Sequence, residues 1–554
     1  MSKKQAVISN CKYSFPTPEF PFYHASVSWE SIEGEFEVKE VRVDGDKTRD
    51  FHVFHATGES YDKMLEPGAK SEVIVRVDWQ NESSHLIEVD LEDSSEKEFT
   101  REIRAKAPNY GGYWNSDWSY YAGAVVSETA GLERKGEPVH VTMNVYEDRI
   151  DSPEEIRVVS IDPETGMPEE VPSQVYGSDT WNVSDLVEKE PFRYQPTTTL
   201  EIVFSADVSK NGEKVYLIFY GNSGVSRENY ETDLQVKAGD REIIQNDYYS
   251  MELAEESGFI DEITMKQGLD SSLDHGMEPP GTVHWNPGIY APPRVWSHAS
   301  DWSPPGNTWK LDGDLMSIRK YWGKMPFDVD QASASVTYKF YANVPYVIIS
   351  TIIKIDEDIA AKAVRNGEFV FKRELFDEFR WEDNQGTKGK LKLDEARPHP
   401  SPAVRLSPDI PWLALLNNEK GYGYGSIPLS YRNLSFAGRP PRTTQSHFYV
   451  EVGPWVYWCR PIVNTFVTNN PQRMVSVPEG IMYTERTAYM GFPLSGEGGT
   501  SILESYQEKL SNPLELAELH MDTDSRVPEK WVQGIISEEF QELPPDEVFQ
   551  ADQE

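Results

Sequence analysis

The chain has 554 residues, more than one hydrophobic core accommodates, so two to four domains are expected. It carries 53 basic against 92 acidic residues, a formal charge of −39, which disfavours nucleic acid and anionic membrane as partners because phosphate binding needs concentrated Lys and Arg. No run approaches the roughly 20 apolar residues that cross a bilayer. The only cysteines, Cys11 and Cys459, exclude a disulfide framework and a Cys-rich metal site.

Met1 to Asn10 has two lysines but no apolar segment of signal-peptide length, which leads to the expectation of a soluble, cytoplasmic protein. Alternation of period two then dominates, the mark of half-buried strands. Val73, Val75, Val77 and Trp79 share one face, as do Val139, Val141, Met143 and Val145. Leu200, Ile202 and Phe204 repeat the pattern, followed by Val215, Leu217 and Phe219. Turn signals such as Pro163-Glu164-Thr165-Gly166 and Lys210-Asn211-Gly212 separate these runs, which predicts sandwiches rather than a βαβ fold. No glycine-rich phosphate loop follows a strand, which argues against a dinucleotide enzyme.

The expected organisation is a strand-rich N-terminal module over 1–105, an accessory β-sandwich over 106–238, a large antiparallel domain over 246–520, and an acidic tail over 521–554. The polar stretch 222–247 reads as a linker. Within the large domain, Val336–Phe340 and Tyr346–Ser350 flank Asn343 as a hairpin, and Thr500–Leu510 is the one persuasive helix, with a Pro513 stop.

The segment Tyr249 to Lys266, a strand, a Ser257-Gly258 turn and a second strand, resembles the opening hairpin of galactose-mutarotase-like supersandwich domains, found in polysaccharide lyases and glycoside-active enzymes. Glu128-Thr129-Ala130-Gly131-Leu132 and Tyr220-Gly221-Asn222 resemble the accessory sandwiches that precede such domains. The resemblance implies a mostly β chain with N-terminal sandwich modules ahead of a large antiparallel supersandwich bearing a sugar-binding face.

Residues 282–302 are the densest in chemistry. His284, Trp285, Asn286, Tyr290, Arg294, Trp296, His298 and Trp302 lie among Pro287, Pro292 and Pro293, which forbid a long regular element and predict a stiff loop. Aromatic rings stack on the apolar faces of sugars, and the chain is rich in them, with 15 Trp and 28 Tyr. If Glu368–Glu374 is extended, Glu368, Val370, Lys372 and Glu374 share a face. Likewise His447, Tyr449 and Glu451 share one, followed by Trp455 to Arg460.

These groups suggest a lyase, in which His284 or His298 moves the proton with Tyr290 or Tyr449, Arg294 or Arg460 holds an anionic sugar group, and Glu374 assists. Trp285, Asn286, Trp296, Trp302, Glu368 and Arg460 are the expected substrate contacts. A glycoside hydrolase using two of Glu368, Glu374 and Asp377, and a non-catalytic carbohydrate-binding protein, are the alternatives. The expected partner is an oligosaccharide or polysaccharide. No cofactor is required, although His284, His298, Glu374 and His447 are ligand types suited to a divalent ion such as Zn, Mn or Ca. Oligomeric state is not legible.

Overall fold

The computed structural model describes residues 6–520, apart from 78–83, 107–113, 183–187, 190–193, 275–281, 293–295, 397–402, 445–446, 466–471 and scattered shorter gaps. The acidic tail 521–554 therefore lies outside the described residues. The described chain is almost entirely antiparallel strand, and none of its helices is long and apolar enough to cross a membrane. The described residues form two compact units, one from those up to 135, 139–228 and 514–520, the other from those in 136–138 and 229–513.

The first unit holds two sandwich modules. In the N-terminal one, a five-stranded sheet with His24–Ile32 and Ser71–Arg76 at its centre accompanies another built on Phe36–Val43, Ser84–Asp93 and Glu98–Lys106. Val73, Val75 and Val77 are fully buried in its core, as their alternation requires, while Trp79 lies outside the described residues. In the second module, Tyr120–Ser127 pairs with Glu213–Tyr220 on one side and with the C-terminal strand Glu515–His520 on the other. A chain segment remote in sequence thus closes this sheet.

Glu128 anchors the second module. Its buried carboxylate accepts the N–H groups of Ala130, Gly131, Leu132 and Asn211 and faces Arg134 Nη2 at 3.2 Å. Burial alone would raise its pKa. The N–H groups of Asn211 and Leu132, with Arg134 and Ala130, outweigh that and hold it at about 2.

The second unit is a large sandwich. Its nine-stranded sheet runs Asn307–Leu311, Met316–Met325, Val329–Tyr341, Tyr346–Ile355, Ile481–Pro493, Tyr422–Ser435, Trp412–Asn417, Glu378–Glu382 and Lys388–Lys392. Facing it is a six-stranded sheet in the order Ser297–His298, Gly288–Tyr290, Ala363–Lys372, Trp455–Asn464, Phe448–Val452 and Val404–Leu406. Aromatic rings from both sheets meet in the core: Phe369 lies 4.3 Å from Tyr489, and Trp458 stacks on Tyr424.

The two hairpins read from sequence are present. Val329–Tyr341 pairs with Tyr346–Ile355 around Asn343, whose φ is 60°, and Tyr249–Leu253 pairs with Ile260–Met265. Gly258 in the second turn has φ +75°, and a Cβ there would sit 2.2 Å from the Tyr321 ring, so both conformation and space demand glycine. The helix spans Ser501–Ser511 and buries Leu503. Residues 222–247, read as a linker, instead contribute Gln235–Lys237 and Glu242–Gln245 to a five-stranded sheet.

Glu128 has a depressed folded pKa, so its contribution to stability is complete above the ordinary carboxylate value of 4.5 and is lost as pH falls through about 2. Urea unfolding monitored at neutral pH should show Glu128→Gln to be strongly destabilised. The gap between variant and native protein should narrow steadily below pH 4.5.

Candidate active site on the six-stranded sheet

The site is built around an irregularity in Ala363–Lys372. Asn366 pairs with Arg460 and Phe369 with Trp458, so Gly367 and Glu368 together oppose the single residue Cys459. This is a β-bulge, and Gly367 adopts the φ of +58° that it needs. In a regular strand, residues three apart point to opposite faces. The extra residue restores them to one side, and Arg365 Nη1 reaches Glu368 Oε1 at 3.2 Å on the outer face of the sheet.

Glu368 is 3% exposed, and its other oxygen accepts Asn286 Nδ2 at 2.7 Å. The Arg365 guanidinium also lies over the Trp296 ring, 4.6 Å from its centroid, and 5.9 Å from that of Tyr457. Tyr457 donates its hydroxyl to the buried Glu451 carboxylate. Burial drives the Tyr457 pKa well above its ordinary value, and the carboxylates of Glu451 and Glu368 add to that against the opposing charge of Arg365. Tyr457 therefore keeps its proton at neutral pH.

Beside this chain of polar groups, Trp296 stacks on His298 at 5.2 Å and 15°, and Tyr290 meets Trp296 edge-on at 5.5 Å. Trp285 leans on His298 at 5.4 Å. Asp301 Oδ2 lies 3.6 Å from His298 Nδ1 and accepts the His298 backbone N–H. Gly288 makes room for these groups, because a Cβ there would come within 2.6 Å of both Asn286 Oδ1 and the His298 ring. The outer face thus gathers four indole or phenol rings, an imidazole, a guanidinium and two buried carboxylates.

The segment read as a stiff loop is partly sheet: Gly288–Tyr290 pairs with Ala363–Arg365 and with Ser297–His298. It brings Trp285, Asn286, Tyr290, Trp296 and His298 together with Glu368. Arg294 lies outside the described residues, and so does the Tyr449 side chain.

Several assignments need correction. His284 is fully buried between Phe259 and Phe369, at 5.3 and 4.9 Å, with Nδ1 2.8 Å from the Tyr338 hydroxyl. Desolvation lowers its pKa to about 3, so it is a neutral core group, unsuited to proton transfer with substrate. Arg460 is also fully buried, on the core face, 3.1 Å from Glu485 Oε1 and stacked over Phe448 and Tyr431. It bridges the two sheets and cannot clamp a substrate anion. Trp302 is core as well, 4% exposed with Nε1 donating to the Lys324 carbonyl.

Glu374 stands exposed on the 3₁₀ turn Arg373–Leu375 beyond the strand, off the face that Glu368 shares with Val370. Asp377 is exposed too and is occupied by Asn418. His447 is half-buried, its pKa lowered by desolvation and by Arg405. Among the described residues no three His, Cys, Asp or Glu side chains form a group able to hold a metal ion, so His284, His298, Glu374 and His447 are not a metal centre.

Sequence reasoning passed over Arg365 and Tyr457. The clue to Arg365 was Asn366-Gly367 inside an apolar strand, which signals a bulge. Tyr457 could have been noted from its alternation with Cys459, but its place opposite Glu451 is set by the pairing of the two strands.

No protein-family model and no curated protein matches the chain. Among solved structures it is similar to an alpha-mannosidase from Enterococcus faecalis V583, at 10% identity and TM-score 0.46, over 73% of this chain and 46% of that one. It is also similar to a glycosyl hydrolase family 38 protein from Enterococcus faecalis, at 10% identity and TM-score 0.43, over 74% of this chain and 48% of that one. A galactose mutarotase related enzyme from Lactobacillus acidophilus matches at 10% identity and TM-score 0.26, over 46% of this chain and 97% of that one. The chain spans about half the length of the two Enterococcus proteins.

Two outcomes follow from this geometry. Gly367→Ala should lose about 1–2 kcal/mol in urea unfolding, since alanine pays for a left-handed φ and its Cβ would press to 3.2 Å from Glu485 Oε1. For His284, the unfolded state takes a proton near pH 6.5 while the folded state resists until about 3, so stability is lost as pH falls through that window. A His284→Phe protein should lose stability less steeply than the native one between those limits in urea titrations at stepped pH.

Proposed function

We propose that the protein is a carbohydrate-active enzyme that cleaves a glycosidic bond by hydrolysis on the outer face of the six-stranded sheet. One observation carries the reading: two buried carboxylates, Glu368 and Glu451, are joined through Arg365 and Tyr457 beside the Trp296–His298 stack. Trp296, Tyr290 and Trp285 offer the flat apolar surfaces on which a pyranose stacks. Arg365 and Asn286 hold the Glu368 carboxylate in place beside the aromatic rings, where it serves as the nucleophile or general base. Glu451, bonded to a tyrosine that keeps its proton, completes the carboxylate pair that glycoside hydrolysis requires.

The lyase mechanism loses ground here because His284 and Arg460 are core groups. A second reading, glycan binding without catalysis, is favoured by a specific feature: Glu368 and Glu451 are each already engaged by protein partners.

The test uses a panel of neutral and uronate-containing oligosaccharides, measuring binding and new reducing ends. Glu368→Gln and Glu451→Gln should each lower turnover by about 10²–10⁴-fold while leaving binding measurable. Trp296→Ala should weaken binding with little change in melting temperature. An unsaturated, ultraviolet-absorbing product would mark a lyase, and binding without any product would establish the non-catalytic reading.

A further inference from the structure

On the opposite side of the sandwich, the nine-stranded sheet presents an outer face whose charge contradicts that of the chain. Core residues Val336, Tyr338, Ile349, Ile353 and Tyr483 point inward, which turns their strand neighbours outward. Cross-strand register then aligns Trp322, Ser335, Ile352, Thr484 and Arg432 in one row. The next row carries Lys320 and Arg486, separated by Thr337 and Ser350, and the row on the other side carries Lys324 and Lys354 across Ser333.

These rows hold five cations and no carboxylate, in a protein with 53 basic and 92 acidic residues. Asp356 partly offsets Lys324 and Lys354, at 2.9 and 2.8 Å. Lys320, Arg432 and Arg486 make no ion pair among the described residues, and both arginines are exposed. Lys320 caps the Trp322 ring at 5.2 Å, and Ile352 is 37% exposed beside it. Small hydroxyl side chains fill the space between the cations, so the surface is open as well as positive.

We propose that this face binds a carboxylate-bearing glycan chain lying across the strands. Arginine forks match carboxylates in plane, the Ser and Thr hydroxyls suit sugar hydroxyls, and Trp322 offers a ring to stack on. Lys320 and Arg486 stand three strand spacings apart, about 14 Å, a separation that suits charges spaced along an oligosaccharide. The modest local surplus of positive charge within a strongly negative protein selects against denser polyanions, which the remaining surface repels. This face is separate from the one that bears Glu368, and the inference stands without the hydrolytic reading.

Calorimetric titration of the whole protein with an oligogalacturonate tests it, alongside the carboxyl-reduced oligosaccharide, a heparin-derived oligosaccharide and single-stranded oligothymidylate. The oligogalacturonate should bind, and more weakly as salt is raised. The double variant Arg432→Gln/Arg486→Gln should lose at least about tenfold in affinity at an unchanged melting temperature, since both side chains are exposed, and Lys320→Gln should lose less. Failure to bind, equal binding of the carboxyl-reduced chain, or tighter binding of heparin or oligothymidylate would overturn the proposal. So would binding that survives the double variant but is lost in Glu368→Gln, because that result moves the glycan to the other face.

Discussion

Gly367 sits at a left-handed backbone angle where two residues of one strand oppose Cys459 alone. Much of the second unit's chemistry depends on that extra residue. Without it, Arg365 and Glu368 would face opposite sides of the sheet, and one of them would enter an aromatic core as an unpaired charge. With it, both point outward and neutralise one another, while Phe369 and Asn366 still turn inward. The glycine is required twice, by its φ and by the Glu485 carboxylate lying where a Cβ would press. A bulge costs ladder hydrogen bonds, and here it aims functional groups in return.

Beneath the bulge the sandwich buries a polar layer that ordinary hydrophobic reasoning would not place there. Arg460 and Glu485 come from different sheets and meet at 3.1 Å, a charge pair rather than an aligned hydrogen bond. Thr351 donates to Asn366 beside them. Burying such a pair is expensive, and its net contribution to stability is small, but removing one partner strands the other. Its physical consequence is specificity of register: the guanidinium and carboxylate meet only when the two sheets align as they do.

The two outer faces of this sandwich then differ in kind. On the six-stranded side, charges are buried, paired and set among stacked rings. On the nine-stranded side, cations stand apart on an open sheet with hydroxyls between them. Low dielectric strengthens the first set, whereas the second works through screened attraction at the surface. A formal charge of −39 describes neither, because net charge sums over surfaces that act locally.

Alternation of valines and aromatics was enough to show an antiparallel β protein, since period two has one structural cause, and the turn residues marked the Ser257-Gly258 and Asn343 hairpins correctly. The helix near Thr500 was legible from its spacing and its proline stop. Sequence also drew attention to residues 282–302, where Trp285, Asn286, Tyr290, Trp296 and His298 do gather. It could not say which side each residue faces once prolines and a bulge interrupt the alternation. His284 and His298 look alike as letters, yet one is enclosed by two phenylalanines and the other lies beside Trp296 on the outer face. Arg460 looked like a substrate clamp because its partner, Glu485, is 25 residues away on another sheet. Composition and periodicity determine which elements form. Burial, register across strands and the partner of each charge are properties of pairs distant in sequence, so only the tertiary structure could decide them.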